Sequence, residues 1–295
     1  MSSIERAARV VKSLKDEEWR ALYGLEKASL GHGVGDTGRI SRMSKIPVER
    51  AAFAVAELRR KGLLEKHGVG YGLTKQAVEL MALKDYVKKD LVFALGAIIA
   101  KGKESDVYEA VNEEGELFAL KFFKLGRTSF TRVRKKSFIE ASEMRSWITV
   151  NYEAAKREYS ALGKLEGLGE EFPKAYAHNR STVLLERVEG VRLSGRPPLQ
   201  DPVGAFRKIM EAMRTAFLKA NLINADLSEY NILTDGERVW LIDWPQAVDV
   251  SHHNADTLLR HDAEAVARFF QKAYSGTTTL ESAYRYASGA SSRLE

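Results

Sequence analysis

The sequence predicts an α+β fold of two domains, an N-terminal winged helix–turn–helix followed by a larger domain of two lobes. A strong helix that stops at Gly62 precedes two short strands around a glycine turn, which is typical of a wing. Farther along, alternating strands flank a loop of small residues at Gly102. The third observation is an acidic loop, in which Asp226 and Asn231 precede an apolar strand that ends at Asp243.

Composition favours a compact protein of two domains. The 295 residues are 44% hydrophobic, which is enough to bury a sizeable core. The chain has no cysteine, so disulfides and thiol chemistry are excluded, although this does not fix the compartment. No uninterrupted apolar run approaches about 18 residues, and residues 4–9 lack the layout of a signal peptide. We therefore expect a cytoplasmic protein without a membrane partner.

Positive charge is concentrated in residues 1–85, the predicted winged helix–turn–helix. This segment holds 16 Lys and Arg residues against 11 Asp and Glu residues, a net charge of +5 out of +6 for the whole chain. Its main helix covers 48–61, and Thr74 caps the next helix, 75–89. The side chains expected to contact nucleic-acid phosphates are Arg50, Arg59, Arg60, Lys61, Lys66 and His67. Docking on a protein, with a solvated charged helix face, is the alternative.

The strands after this segment carry a candidate phosphate-binding loop. In protein kinases a G-x-G-x-x-G-x-V loop lets backbone N–H groups approach phosphate oxygens without obstruction by side chains. Here the three glycine positions hold Ala100, Gly102 and Ser105, and Val107 follows. The same residues suit an ordinary hairpin turn, so the prediction depends on the motifs that come after them.

Lys121 is the candidate phosphate-binding lysine. It stands in a strand of Phe and Leu residues, where burial is costly unless the ammonium group meets an anion. Kinases have a strand lysine at this point, which contacts the phosphates and pairs with a helix Glu. We expect that partner to be Glu158, with Glu153 as the second choice. The alternatives are an exposed lysine on an edge strand and an ordinary surface charge at position 158.

The acidic loop predicts phosphoryl-transfer chemistry. Asp226 is placed to orient a hydroxyl group or accept its proton, while Asn231 and Asp243 hold Mg²⁺ against the phosphates. The chemistry requires hard oxygen ligands for a hard cation that also binds phosphate oxygens. Acidic loops that only solvate a turn are common, so the order of all three motifs carries the prediction.

The assembled pattern resembles the RIO family of atypical kinases, and specifically the subfamily that carries an N-terminal winged helix. The motifs of the resemblance are 102–108, 125–130, 177–180, 226–231, 242–246 and 251–255. Three positions depart from the family pattern, with Ala100 in place of a loop glycine, Asn224 in place of a histidine and His261 in place of an arginine. Asn224 can still orient the loop by hydrogen bonding.

The resemblance implies the cofactors and the nucleotide site. It places ATP and Mg²⁺, with Mn²⁺ as a substitute metal, between the two lobes of the larger domain. A hinge segment reads the adenine edge through its backbone, and apolar side chains enclose the base, although ordinary core packing explains them equally well. The implied ATP-binding residues are Gly102, Lys103, Glu104, Ser105, Lys121, Glu158, Glu186 and Val188, with Val107, Ala119, Leu233 and Ile242 around the base.

The resemblance also implies the catalytic residues and partners. Lys121, Asp226 and Asp243 are catalytic, and Asp243 can accept the γ-phosphate. The basic loop 124–136 has six positive residues and no acid, and in the family the loop at this point is flexible and sometimes autophosphorylated. Candidate autophosphorylation sites are Thr128, Ser129, Thr131 and Ser137. The implied partners are pre-ribosomal RNA and small ribosomal subunit proteins, during maturation of that subunit.

The end of the chain predicts a truncated protein-kinase-like domain. Only 52 of the 295 residues follow Asp243, and no A-P-E segment appears among them. One amphipathic helix is predicted over 262–274, and Pro245 replaces the last Gly of D-F-G. A conventional activation loop and peptide-binding lobe do not fit, which favours ATP hydrolysis or self-phosphorylation as a switch. The predicted divisions are a two-lobed domain at 86–280, with lobes at 91–186 and 191–280, and a C-terminal tail at 281–295.

Two other functions remain open. A small-molecule kinase of the antibiotic phosphotransferase type also lacks the activation segment, but the basic loop 124–136 suits a polyanion better than a neutral metabolite. A nucleic-acid-binding pseudokinase scaffold would need no catalytic residues, whereas Lys121, Asp226, Asn231 and Asp243 are all intact.

Overall fold

The computed structural model describes residues 11, 13–29, 34–125, 147–276 and 278–294. The chain divides into two compact units. The first unit comprises Met1–Ala155 with Asn179–Thr182, and the second comprises Lys156–His178 with Val183–Glu295. The predicted domain boundary at residue 85 falls inside the first unit. The candidate autophosphorylation sites Thr128, Ser129, Thr131 and Ser137 lie outside the described residues.

The first unit begins with a winged helix–turn–helix. Its helices are α1 (Asp16–Ser29), α2 (Thr37–Ser44), α3 (Val48–Arg60) and α4 (Lys75–Lys88), and its wing consists of β1 (Leu64–His67) and β2 (Gly70–Leu73). The wing strands pair antiparallel around Gly68, whose φ of 58° favours glycine. Thr74 caps α4, because its Oγ1 accepts the N–H of Ala77 at 3.3 Å. These elements confirm the predicted layout.

An apolar core holds these helices and the wing together. On α3 the buried residues include Ala51, Val55 and Leu58, at positions i, i+4 and i+7. They pack in one cluster with Leu22 and Leu25 of α1. Fully burying a Val or Leu side chain contributes roughly 1.5–3 kcal/mol. The opposite side of α3 therefore remains turned to solvent.

Three antiparallel strands follow in the first unit, β3 (Ala94–Lys101), β4 (Ser105–Val111) and β5 (Leu117–Phe123). In the pairing of β4 with β5, Val107 lies opposite Lys121 and Tyr108 lies opposite Leu120. Successive side chains point to opposite faces of a sheet, so these two pairs lie on different faces. The pairing of β3 with β4 shifts in register before Ala100, just ahead of the candidate phosphate-binding loop.

Most of the second unit consists of short strands and three helices. Helix α5 (Trp147–Leu165) begins in the first unit and ends in the second. The elements that follow are β6 (Ala175–Asn179), β7 (Thr182–Glu186), β8 (Val191–Arg192), α6 (Pro202–Lys219), β9 (Leu222–Ile223), β10 (Ile232–Thr234), β11 (Val239–Leu241), β12 (Val248–Asp249), α7 (Ala255–Ala273) and α8 (Leu280–Ala287). Strands β8, β10 and β11 form one antiparallel sheet, and β9 pairs with β12. Their core includes Trp244, Leu241 and Phe270.

Two elements differ from the predictions near the C-terminus. Helix α7 begins at Ala255 rather than at Asp262, because its buried residues start earlier, with Ala255 and Leu259. The segment predicted as a tail contains α8, which buries Ala283 and Ala287 and packs on α6 and α7. Of the residues that the structure describes, none belong to a helix that is both long and apolar enough to cross a membrane.

Candidate active site

The acidic loop lies between β9 and β10, and the β10–β11 hairpin brings its end beside Asp243. Ile232, the first residue of β10, lies opposite Leu241, the last residue of β11. The residues just beyond this pair are hydrogen-bonded too, since the N–H of Ile242 donates to the carbonyl of Asn231 at 2.9 Å. Asn231 and Asp243, which stand far apart in sequence, are therefore neighbours at the open end of this hairpin.

The side-chain amide of Asn231 has a defined orientation. Its Nδ2 donates to the carbonyl oxygen of Asp226 at 2.9 Å. The amide oxygen, Oδ1, is therefore the end turned away from that carbonyl. Asp226, Asn231 and Asp243 are all partly accessible to solvent. The second unit thus brings two carboxylates and an amide oxygen together at one half-buried place.

Asn224 links the loop to Asp243. Its Nδ2 donates to the Asp243 carbonyl at 3.1 Å, and its Oδ1 accepts the N–H of Asp226 at 3.2 Å. The side chain is buried, so these hydrogen bonds form in a medium of low dielectric, where they are stronger than in water. The predicted orienting role of Asn224 by hydrogen bonding is confirmed by these contacts.

Asp262 anchors the loop around Asp226, and the sequence prediction missed it. Its carboxylate accepts the N–H of Ala225 at 2.7 Å and the N–H of Leu227 at 3.1 Å, so it holds the backbone on both sides of Asp226. Burial raises the pKa of Asp262, although His261 and the two backbone donors act in the opposite direction. A signal was present, since this Asp falls on the apolar stripe of the predicted last helix, where a carboxylate needs partners.

Two residues of the site adopt the left-handed backbone conformation without being glycine. The φ angles are 65° at Ala225 and 67° at Asp243. Such conformations persist where the surroundings restrain them. Here Asp262 binds the N–H of Ala225, and Asn224 binds the carbonyl of Asp243. The hydrogen bonds that position the loop therefore also hold its strained residues.

Glu158 supports the segment after Asp243. It lies on α5 in the second unit, is 1% exposed, and accepts the N–H of Trp244 on its Oε1 at 3.3 Å. The Trp244 ring is fixed in turn, because its Nε1 donates to the last carbonyl of β11 at 2.9 Å. The pairing of Glu158 with Lys121 stays a prediction.

In the first unit, three residues predicted to bind nucleotide share one face of the sheet. Val107 lies opposite Lys121, and Ala119 is two positions away on the same strand. The Lys121 side chain is 5% exposed, with its Nζ 4.7 Å from the ring centre of Phe123. The alternative of an exposed edge-strand lysine is therefore wrong.

The loop before β4 is a tight turn. The N–H of Gly102 donates to the carbonyl of Ser105 at 2.9 Å, and a Cβ at position 102 would lie 3.1 Å from that oxygen. The side chains of Lys103 and Glu104 are exposed. Glycine at 102 is thus favoured by crowding within the turn itself, a reason that the sequence pattern alone does not reveal.

The predicted hinge lines a cavity of about 590 Å³ within the second unit. Glu186 and Val188 belong to its wall. The N–H of Glu186 donates to the carbonyl of Lys174 at 2.8 Å. Asp226, Asn231 and Asp243 do not line this cavity. The predicted base-enclosing residues Leu233, on β10, and Ile242, after β11, are partly exposed and lie outside that wall.

The donor set at the end of the hairpin fits Mg²⁺. This ion takes oxygen ligands and usually keeps water or phosphate oxygens among them. Asn231 and Asp243 would supply an amide oxygen and a carboxylate. No group of three or more His, Cys, Asp or Glu side chains that could hold a metal occurs in the described part of the chain. The pair would therefore need ligands from outside the protein.

The winged helix–turn–helix uses much of its charge internally. Three of the predicted phosphate contacts pair with nearby carboxylates, Lys61 with Glu18 at 2.6 Å, Arg60 with Glu57 at 2.7 Å, and Arg50 with Glu17. Lys61 is mostly buried and also donates to the Ser13 carbonyl at 3.1 Å. These contacts leave Lys61 less available to phosphates, and its role as a phosphate contact stays a prediction. Arg59 and Lys66 are exposed and have no ion pair among the described residues.

Comparison with known proteins identifies the family. The sequence matches the RIO domain model over residues 106–283. This chain belongs to the RIO family. Among relatives, the serine/threonine-protein kinase rio2 of Schizosaccharomyces pombe is 29% identical over 273 residues, covering 90% of this chain and 79% of that protein. The RIO-type serine/threonine-protein kinase Rio2 of Methanocaldococcus jannaschii is 32% identical over 241 residues, covering 79% and 88%.

Solved structures of RIO proteins agree with the fold. The crystal structure of the Rio2 kinase–ADP/Mg²⁺–phosphoaspartate complex from Chaetomium thermophilum matches with a TM-score of 0.79 and 25% identity. The match covers 95% of this chain and 88% of that chain. The resemblance to the RIO family and the α+β fold class are both confirmed, and the chain is an atypical protein kinase by family and fold.

Proposed function

We propose that this chain is an ATP- and Mg²⁺-dependent atypical serine/threonine kinase with ATPase activity, which acts as a switch in small ribosomal subunit maturation in the cytoplasm. The observation that carries the proposal is the acidic loop, whose hydrogen bonds hold Asp226, Asn231 and Asp243 together. Membership of the RIO family supports it. We keep residues 1–85 as a winged helix–turn–helix and 86–280 as the kinase-like domain.

The geometry supports a distinct role for each residue. Asp226, held on both sides by Asp262, would orient the attacking hydroxyl group or water. Asn231 and Asp243 would hold Mg²⁺, which neutralises charge on the phosphates when bound. Lys121 would contact the phosphates and pair with Glu158. The turn at Gly102 would approach the phosphates through its backbone.

Asp243 is also the proposed phosphate acceptor. The Rio2 complex from Chaetomium thermophilum contains ADP, Mg²⁺ and phosphoaspartate. In the proposed step a carboxylate oxygen of Asp243 bonds to the γ-phosphorus as the bond to the ADP oxygen breaks. Water then cleaves the acyl phosphate, which releases inorganic phosphate and restores the carboxylate. These two steps together amount to ATP hydrolysis.

The proposed partners are pre-ribosomal RNA and small ribosomal subunit proteins. The net charge of +5 in residues 1–85 supports contact with a polyanion. Arg59 and Lys66 are the side chains best placed for phosphates, since both are exposed.

Turnover of ATP with and without purified small ribosomal subunits tests the proposed function. We expect Mg²⁺-dependent turnover that the small subunits change and that large subunits, as a control, do not. The Asp243→Ala variant should lose Mg²⁺-dependent turnover, because one of the two protein metal ligands is absent, and should form no phosphoenzyme, because the acceptor carboxylate is absent. Wild-type turnover in this variant would contradict the metal assignment. Turnover that responds only to a small-molecule acceptor would favour the phosphotransferase alternative.

A further inference from the structure

The solvent-facing side of α3 has a pattern that phosphate contact does not explain. Directly opposite the buried stripe stand Glu49, Phe53, Ala56 and Arg60, spaced i, i+4, i+7 and i+11. Phe53 is 62% exposed, and Ala56 is exposed beside it. Base edges are read mainly by polar side chains such as Arg, Lys, Asn and Gln. Here the centre is apolar and the charges lie at the two ends, which is the pattern of a seam between two helices.

We propose that this seam docks on the same seam of a second copy of the chain, with the two α3 helices antiparallel. The sequence of the seam is self-complementary in that orientation. With the twofold axis between Phe53 and Ala56, the large side chain of one copy lies against the small one of the other. The same patch is then used twice, so the contact closes as a dimer rather than growing into a fibre.

The charges support the antiparallel orientation. Glu49 of each copy meets Arg60 of the other, at both ends of the seam. On one flank of α3, Arg50 and Glu57 are spaced so that Arg50 of one copy faces Glu57 of the other. A parallel pair would instead set like charges against each other. Within one copy, Arg50 pairs with Glu17 and Arg60 pairs with Glu57. Ion pairs at such exposed positions contribute little to stability, so both arginines can exchange partners.

The size of the seam limits its strength. Helix α3 has 13 residues, so it is about 20 Å long. One helix pair of this length buries less area than a standard protein interface. The dimer is therefore weak and depends on protein concentration. It also competes with any other use of this face, such as contact with RNA or with a helix of another protein.

Sedimentation velocity on the full chain, from low to high micromolar concentration, tests the proposal. The wild type should pass from monomer to dimer, and Phe53→Ser should raise the dissociation constant at least tenfold. Because Phe53 is exposed, the variant should keep the wild-type melting temperature, which serves as the folding control. Val191→Ser, which removes another exposed apolar side chain in the second unit, should leave the dissociation constant unchanged.

Charge reversal tests the orientation. Glu49→Arg and Arg60→Glu should each weaken the dimer, and the double variant should restore it, since each new charge then meets its opposite. A wild type that stays monomeric at every concentration would overturn the proposal, and so would a dimer that Phe53→Ser leaves unchanged. If the monomeric chain loses RNA affinity through Phe53→Ser, this face stacks on bases instead. Weakening without rescue in the double variant would rule out the antiparallel register.

Discussion

Three polar side chains around Asp226 have their orientation set by backbone groups. Asn231 points its amide nitrogen at one carbonyl, Asn224 bridges two segments, and Asp262 accepts two N–H groups. Side chains that are held in this way lose little entropy when a ligand binds, and their reacting atoms stay in place. At the scale of single residues, Asn224 and Asp262 thus position the site although they need never touch a substrate.

Replacement of Asp226 by Asn separates catalysis from binding. An amide cannot accept a proton, so Asp226→Asn should lose about 10²–10⁴-fold in turnover. The change is nearly isosteric and keeps the backbone N–H that Asn224 accepts, so the affinity for ATP should stay near the wild-type value. Nucleotide titration and turnover at saturating ATP measure the two quantities. An affinity loss with an unchanged saturated rate would mean that Asp226 binds ligand instead.

Asp262 should act as a positioning residue. Asp262→Asn leaves one oxygen for two N–H donors and turns an NH₂ group toward one of them, so the loop loses an anchor. We expect turnover to fall by roughly tenfold or more with little change in KM for ATP, because orientation rather than binding is lost. Asp256→Asn on the same helix is the matched control, since its amide oxygen can still accept from Tyr284. Equal effects in both variants would indicate general destabilisation of α7.

At the scale of elements, the turn between β6 and β7 is fixed by one arginine. Arg180, with a φ of 53°, donates from Nε and Nη2 to Glu26 at 2.7 and 2.8 Å, and from Nη1 to Asp85 at 2.6 Å. Tyr23 and Tyr152 donate to the same two carboxylates at 2.6 Å. This cluster joins the turn to α1 and α4 within the first unit. It also gives a structural role to the motif 177–180, which carried the family resemblance without an assigned function.

Loss of Arg180 should strongly destabilise the first unit. Removing one partner of a buried ion pair leaves the other charge uncompensated and costs about 3–5 kcal/mol. We expect a loss of that size in the free energy of unfolding of Arg180→Ala, and only partial recovery in Arg180→Lys, because an ammonium group cannot span both carboxylates. Urea denaturation measures the free energy of unfolding of both variants. Arg196→Ala is the control, since Arg196 has the same φ of 53° but is exposed. A similar loss at both positions would implicate the backbone conformation rather than the ion pairs.

Acid should weaken the same cluster. Burial raises the pKa of Asp85, but hydrogen bonds from Arg180 and Tyr23 outweigh it and hold that pKa below 3.8. The folded carboxylate is then more acidic than the unfolded one, so its contribution is present above pH 3.8 and is lost as the pH falls below that value. As the pH is lowered from neutral, the free energy of unfolding should therefore fall less in Arg180→Ala than in the wild type. Parallel curves for the two proteins would remove Asp85 from the explanation.

Elements were predictable where the signal is local. The wing, α3 and the cap at Thr74 follow from periodicity and turn residues within a few positions. The predicted start of α7 was wrong because the prediction followed the apolar stripe from Val266 onward and passed over Ala255 and Leu259, which are buried as well. The place of Asp262 on an apolar stripe signals that it needs partners, but the sequence does not reveal which ones, because they are backbone groups of a distant loop.

At the scale of the whole molecule, ion pairs explain why the winged helix–turn–helix belongs to a larger unit. Glu26, Asp85 and Arg180 are spread across the sequence, so no local pattern links them, yet they meet in one cluster of the first unit. Composition did predict the uneven charge of the chain. It did not predict how much of that charge is neutralised internally, which leaves Arg59 and Lys66 as the better candidates for a polyanion.

The affinity for RNA should depend on salt through these two residues. Each phosphate that a Lys or Arg neutralises releases counterions, so the logarithm of the binding constant falls linearly with that of the salt concentration. Arg59→Ala with Lys66→Ala should reduce this slope by up to about two units and leave ATP turnover without RNA near the wild-type value. RNA binding measured across a salt series tests this, with Lys219→Ala and Lys272→Ala as a control of equal charge on exposed helix ends of the second unit. Superimposable salt curves for the wild type and the Arg59, Lys66 variant would show that this surface does not bind nucleic acid. A slope that falls equally in the control would instead reflect net charge rather than contact, because only a local contact distinguishes one exposed cation from another.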